Sequence, residues 1–268
     1  TMATGGFSTK NDSIAHYDSA YLQYVIIVFM FLAGTNFTIT YYGLKGRFKK
    51  VWANEEFRMY FIIVSLLAMV ISFFVFVRDW AGFEKSFRDS LFQVVSVITT
   101  TGYITADYTT WAPFVTIIFF LLMFLGASAG STSGGIKVVR HTLLFKNSFL
   151  EMKRQLHPSA IIPVRLNNSA VSRDISYNVL AFVMIYLLTF GVGIFLISFT
   201  GEEFDTTLGA VATTLGNIGP GLGEVGPVNN FASITPFGKW VLSFLMLLGR
   251  LELFTVLILF NPNFWRKC

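Results

Sequence analysis

Three short segments carry the residue types from which an ion-coordinating backbone is made. They read Ala3-Thr4-Gly5-Gly6-Phe7-Ser8, Thr99-Thr100-Thr101-Gly102-Tyr103 and Thr213-Thr214-Leu215-Gly216-Asn217-Ile218-Gly219-Pro220. Glycine reaches backbone conformations with positive φ that a β-branched residue resists, so carbonyl oxygens can be turned towards a common axis. Threonine adds a hydroxyl that can cap or brace the strand. Several such strands around one axis can replace the hydration shell of a monovalent cation with carbonyl oxygens. A lone Thr-Gly pair is most often a turn before a helix. Its recurrence at Gly5, Gly102 and Gly216, each time ahead of a long apolar stretch, points instead to one pore assembled from similar walls.

Two further features lie within apolar stretches. The run Gly126-Ala127-Ser128-Ala129-Gly130-Ser131-Thr132-Ser133-Gly134-Gly135-Ile136-Lys137 interrupts a long apolar segment. It is not a phosphate-binding loop, because Ile136 separates the last glycine from Lys137 and Val138 follows where Ser or Thr is required. It reads as a gate below the filter or as a close helix-packing site of small residues. Arg250 and Glu252 sit in the last apolar stretch, and Gly249 before them parallels Gly34 and Gly126 in depth. Buried charges of this kind face a water-filled path or pair with a neighbouring helix.

The elements that must position these residues are membrane helices. Hydrophobic residues make up 54% of the 268-residue chain and charged residues 13%, too little polar surface for an ordinary soluble domain. Apolar runs at Tyr21–Tyr42, Phe57–Val77, Phe114–Leu125, Val179–Phe199 and Phe237–Phe260 predict membrane helices. Lys45, Arg47, Lys49, Lys50 and Arg58, the basic residues between Lys137 and Arg173, and Arg266 with Lys267 mark the cytoplasmic side. That asymmetry explains the formal net charge of +5 without nucleic acid. The opposite loops are balanced or acidic, with Glu202, Glu203, Asp205 and Glu224 forming an outer mouth that would concentrate cations. Phe57–Val77 then runs outwards and the helix near Trp111 runs back in. Ser90–Ile98 and its counterpart Thr206–Leu215 must therefore dip into the membrane and return through their Thr-Gly segments.

Other chemistry finds little support. Cys268 is the single cysteine, and His16, His141 and His157 have no ligand partners at metal-binding spacing. An intramembrane enzyme would need a nucleophile and base together, whereas Ser131 and Ser133 have no His or Lys at the same predicted depth and Glu252 has no carboxylate mate. The basic, amphipathic stretch Lys137–Gln155 suits either a docking partner or the lipid surface. The chain opens inside its first Thr-Gly segment, which predicts a fragment lacking half of that repeat and anything earlier.

Through Thr4-Gly5-Gly6-Phe7-Ser8, Thr99-Thr100-Thr101-Gly102-Tyr103, the Gly126–Lys137 loop, Gly216-Asn217-Ile218-Gly219-Pro220-Gly221 and Gly249-Arg250-Leu251-Glu252-Leu253-Phe254-Thr255, the whole chain resembles the bacterial Trk/Ktr/HKT potassium transporter superfamily. Within it, the likeness is to the TrkH-type membrane subunit. The resemblance implies an all-α membrane protein of helix–re-entrant pore loop–helix units around a pseudo-fourfold pore, of which about two and a half would be present. Residues 1–50 would end the second unit, 51–146 form the third with its broken inner helix, 147–173 a cytoplasmic linker, and 174–268 the fourth. The implied potassium-binding filter is Ala3, Thr4, Gly5, Thr100, Thr101, Gly102, Thr214, Leu215 and Gly216, and the implied gate is Gly126, Gly130, Gly134, Gly135 and Arg250. It further implies potassium uptake across the bacterial inner membrane, a homodimer, and a TrkA-like cytoplasmic ring of subunits that binds the nucleotide. No cofactor is expected in the chain itself beyond potassium as the transported ion. A sodium-permeable member of the same superfamily is the alternative.

Overall fold

Apolar runs fold as helices because the bilayer interior offers backbone N–H and C=O groups no partners but each other. The computed structural model describes residues 1, 4–10, 12–79, 82–160 and 162–265, with only the backbone considered at 79 and 263. The filter candidate Ala3 and the terminal Arg266, Lys267 and Cys268 lie outside the described residues.

In chain order the helices are α1 (Ala20–Ala33), α2 (Phe37–Leu44), α3 (Phe48–Ala53), α4 (Glu55–Asp79), α5 (Phe83–Ile98), α6 (Pro113–Leu122), α7 (Val138–Leu156), α8 (Arg173–Ser198), α9 (Phe204–Gly216), α10 (Pro236–Arg250), α11 (Leu253–Leu259) and α12 (Pro262–Trp265). Local signals set several starts. Ser19, Ser172 and Thr235 cap α1, α8 and α10 through their side-chain oxygens, and prolines open α6 and α10.

Among the described residues, α4 and α8 are single helices long and apolar enough to span a membrane. Each exposes an apolar stripe at helical spacing: Ile62, Leu66, Met69 and Phe73 on α4, and Met184, Leu188, Val192 and Phe195 on α8. Stripes of that size on a monomer need a covering, and lipid supplies it. The re-entrant helices α5 and α9 are the opposite case. From Phe92 to Ile98 and from Gly209 to Gly216 every residue is buried. Helix α5 packs on α1 and α4, and α9 on α8 and α10. The buried residues form two main cores, one around α5 and one around α9.

Tyr21–Tyr42 and Phe237–Phe260, predicted as continuous helices, are each broken. Helices α1 and α2 meet at 117°, and α10 and α11 at 114°. Each break lies beside a tightly packed glycine, and in the second the turn itself falls at Glu252, with φ 58°. A Cβ on Gly249 would overlap the Leu215 carbonyl oxygen, and one on Gly34 would lie 2.6 Å from Thr99 Cγ2. The freed backbone is partly capped locally, with Thr35 Oγ1 donating to the Phe31 carbonyl (2.9 Å) and Asn36 Oδ1 accepting from Thr38 N (2.8 Å). The expected break after α6 is also present. There β1 (Leu125–Gly126) and β2 (Ile136–Lys137) pair in parallel and pinch the ends of the intervening loop together. Between α7 and α8, β3 (Arg165–Leu166) and β4 (Ser169–Ala170) form a hairpin turned by Asn167 and Asn168, at φ 49° and 65°.

Candidate functional site

The irregular segments after α5 and α9, and the one near the start of the chain, converge. A Cβ on Gly6 would lie 2.6 Å from the Thr101 carbonyl oxygen, and one on Gly102 would overlap the carbonyl oxygen of Ile218. Ala15 N donates to the Ile104 carbonyl (3.0 Å), and Tyr108 OH to the Gly221 carbonyl (2.8 Å). These bonds join the three segments beyond the glycines.

Their backbones follow one pattern, left-handed at alternate residues: Thr4 and Gly6 (φ 49° and 63°), Thr100 and Gly102 (53° and 76°), Asn217 and Gly219 (55° and 123°). The bracing repeats too. Thr101 N donates to Ser96 O and Ile218 N to Thr213 O, both at 2.9 Å. The Ser96 hydroxyl donates to Tyr103 O (2.6 Å), and the Thr213 hydroxyl accepts from Gly219 N (2.9 Å).

This geometry corrects the register read from the Thr-Gly dipeptides. Gly102 corresponds to Gly6 and Gly219, not to Gly5 and Gly216. Thr214, Leu215 and Gly216 complete the last turn of α9, where Thr214 Oγ1 donates back to the Ala210 carbonyl (2.6 Å). Gly216 is needed for packing, since a Cβ there would sit 2.8 Å from the Met123 carbonyl oxygen. Gly5 lies outside the left-handed region. Sequence reasoning thus missed Asn217, Ile218 and Gly219 as coordinating candidates. Matching Tyr103, Pro220 and Phe7, each directly after a glycine, would have found them.

The loop between β1 and β2 lies directly against these segments. Gly134 N donates to Thr100 Oγ1 (2.7 Å), and the Thr132 carbonyl accepts from Thr4 Oγ1 (2.9 Å). Its other side is tied to the broken α1–α2 helix, through Ser128 N to Gly34 O (3.0 Å) and Asn36 Nδ2 to Ala129 O (2.7 Å). Glu56, in the first turn of α4 beside the basic residues Lys49, Lys50 and Arg58, is buried, and its carboxylate accepts from Ala129 N at 2.6 Å.

Lys137 departs from its predicted place in a cytoplasmic loop. Its Nζ donates to the Ser133 carbonyl and lies 3.0 Å from Ser133 Oγ, so a lysine does stand beside Ser133. That hydroxyl also accepts from Ala127 N (3.1 Å) and contacts Ser131 Oγ (3.0 Å), which makes it a knot holding the loop ends.

Arg250 divides two cavities. One, of about 440 Å³, opens on Thr4, Gly5, Asn217, Ile218 and Gly219 of the first and third segments. The other, of about 300 Å³, lies beneath the loop and is lined by Gly130–Gly135, Lys137, Arg140, Tyr186 and Glu252. Arg250 borders both, and its guanidinium donates to the Thr132 carbonyl at 2.7 Å. Glu252 pairs with Arg140 of α7 at 2.9 Å, and the Arg140 guanidinium lies 3.8 Å over the Phe182 ring. The lower chamber thus holds cationic Lys137, Arg140 and Arg250 against Glu252 alone. Such a field is unfavourable to a further cation in that chamber. At the far end of α9, Glu203, Asp205 and Glu224 are exposed, and the first two also suit the positive end of the helix dipole.

The Thr100–Gly134 bond allows a direct test. Thr100→Val keeps shape but leaves the buried Gly134 N–H without an acceptor, a loss of about 1–3 kcal/mol. The thermal unfolding midpoint in detergent should fall, and an unchanged midpoint would show that the bond does not fasten the loop.

The TrkH family, described as cation transport proteins, matches residues 1–267. The Trk system potassium uptake protein TrkH of Salmonella typhimurium is 41% identical over 271 residues, covering 100% of this chain and 55% of the relative. TrkH of Escherichia coli K12 is 38% identical over 270 residues, again 100% of this chain and 55% of the relative. The crystal structure of the potassium transporter TrkH from Vibrio parahaemolyticus superimposes with a TM-score of 0.92 at 36% identity, covering 99% of this chain and 57% of that one. The chain therefore spans about half the length of the proteins it matches.

Proposed function

This chain belongs to the TrkH family of cation transport proteins, and we propose that it forms three walls of a potassium-uptake pore in the bacterial inner membrane. The observation that carries the reading is the shared backbone of Thr4–Gly6, Thr100–Gly102 and Asn217–Gly219, left-handed at alternate residues and packed together at the ends of buried re-entrant helices. Alternation of this kind turns successive carbonyls towards one side, and carbonyl oxygens substitute for the water around a dehydrated alkali cation. The C-terminal ends of α5 and α9 lead into the segments and bring the negative end of each helix dipole towards them.

In this reading Thr4, Thr100, Thr101 and Gly102 are ion ligands, as the sequence led us to expect, and Gly6 and Asn217–Gly219 stand in place of Gly5 and Thr214–Gly216. Below them the Gly126–Gly135 loop and Arg250 form the gate. The complete protein acts as a transporter, not an enzyme. By the family resemblance it pairs with a second copy and with a cytoplasmic nucleotide-binding ring, and nucleotide is handled by that ring.

Isotope uptake by the complete protein in proteoliposomes tests the ion. Potassium or rubidium flux should exceed sodium flux by about tenfold or more, the equivalent of about 1.4 kcal/mol in discrimination. Equal fluxes would select the sodium-permeable alternative, and no cation flux would end the pore reading.

A further inference from the structure

Helix α7 buries Val138 and Leu143 but leaves a second apolar face exposed. Phe145, Phe149, Met152 and Leu156 are exposed along one helical face. Beside the first two lies a groove of about 680 Å³ between α7 and the inner end of α4. Met59 and Ile62 of α4 form one wall, and Phe145, Phe149 and Leu150 of α7 the other. Its rim is charged, with Glu55, Arg58, Lys146 and Arg165. Lys146 is engaged by the Glu55 carboxylate and the Arg165 carbonyl. Among the described residues, the guanidinium groups of Arg58 and Arg165 have no ion-pair partner, and both side chains are exposed.

We propose that this groove binds an anionic phospholipid of the inner leaflet, with its phosphate on Arg58 and Arg165 and an acyl chain along Met59, Ile62, Phe145 and Phe149. Charge complementarity selects the headgroup. Guanidinium groups bind phosphate through paired N–H donors, and a zwitterionic lipid would bring an ammonium beside the same cations. Position selects lipid over a soluble partner. Arg58 lies in the first turn of α4, and Ile62 begins the exposed stripe that continues through Leu66, Met69 and Phe73 across the bilayer. An acyl chain in the groove stays in contact with the hydrocarbon around it. Because Val138 of α7 directly follows the end of the gating loop, a lipid bridging α4 and α7 would also steady the loop.

Native mass spectrometry of the complete protein, offered equal amounts of phosphatidylglycerol and phosphatidylcholine, reads this without reference to ion flux. It can therefore fail while the potassium reading stands. Phosphatidylglycerol adducts should predominate by about tenfold, as two juxtamembrane cations provide. The excess should vanish in Arg58→Ala/Arg165→Ala, and Ile62→Trp, which fills the slot and leaves the charges, should reduce adducts of both lipids. Equal retention of the two lipids, or a phosphatidylglycerol excess that survives the double substitution, overturns the site. So does intermolecular cross-linking of Phe149→Cys in a Cys268→Ser background, which would assign the groove to a second copy.

Discussion

Potassium-limited growth supported by the complete protein should collapse on Gly102→Ser and survive Gly5→Ala. Gly102 has φ 76°, and a Cβ there runs into the Ile218 carbonyl oxygen. That oxygen is backbone in a segment pinned by Ile218 N to Thr213 O, so it cannot swing aside as a side chain would. Holding a non-glycine residue in such a region costs about 1–3 kcal/mol before any overlap. At about 1.4 kcal/mol per tenfold, strain plus overlap should lower occupancy of the working geometry by about a hundredfold. Gly6→Ala should be nearly as damaging, given φ 63° and the Thr101 carbonyl oxygen 2.6 Å away. Gly5 differs, because among the described residues its Cβ would meet only the exposed ring of Phe7, at 2.8 Å, and that ring can rotate. Protein levels measured by immunoblot separate loss of the filter from loss of the protein. Equal growth of the Gly5→Ala and Gly6→Ala strains would overturn the alternating register.

Arg250→Ala should raise the resting potassium flux of the complete protein reconstituted alone in proteoliposomes. The guanidinium both places a positive charge between the two cavities and holds the Thr132 carbonyl at 2.7 Å. A hydrogen bond from a charged donor contributes about 1.5–3 kcal/mol. Its loss should shift the closed state towards open by about ten- to a hundredfold. Arg250→Lys separates the two effects. It keeps the charge but has a different reach, so a flux near that of Arg250→Ala would identify the tether as the barrier, and a flux near wild type the charge. A flux that falls or stays level in Arg250→Ala would sink the gating role.

What the sequence revealed, and what it hid, follows from the range of the interactions involved. Periodicity and loop charge depend on neighbouring residues, so α4 and the re-entrant α9 were readable closely at both ends, and α8 and α5 at their C-terminal ends, while the polar first turns of those two helices were not. The glycine break at Gly126–Gly135 was readable for the same reason, because its small residues are contiguous. Filter register was not, because Thr213-Thr214-Leu215 looks like Thr99-Thr100-Thr101 in composition. Only the bond from Ile218 N to Thr213 O, matching Thr101 N to Ser96 O, shows that the helix runs on to Gly216. The burial of Glu56 and the partial burial of Lys137 were equally hidden. Both stand among basic loop residues, and only the folded loop brings Ala129 N and Ser133 to them. The tight contacts of Gly34 with Thr99 and of Gly249 with Leu215, beside the two bends, join residues distant in sequence.

The second of those bends bears on length. Drawn out straight, the 24 residues from Pro236 to Leu259 would measure about 36 Å, enough to cross the bilayer. Folded back at 114°, neither half does so alone. The stretch thus has the length of a full span while the fold uses it as two shorter pieces. A side chain at position 249 would meet the Leu215 carbonyl oxygen at the end of α9 and leave that length unchanged.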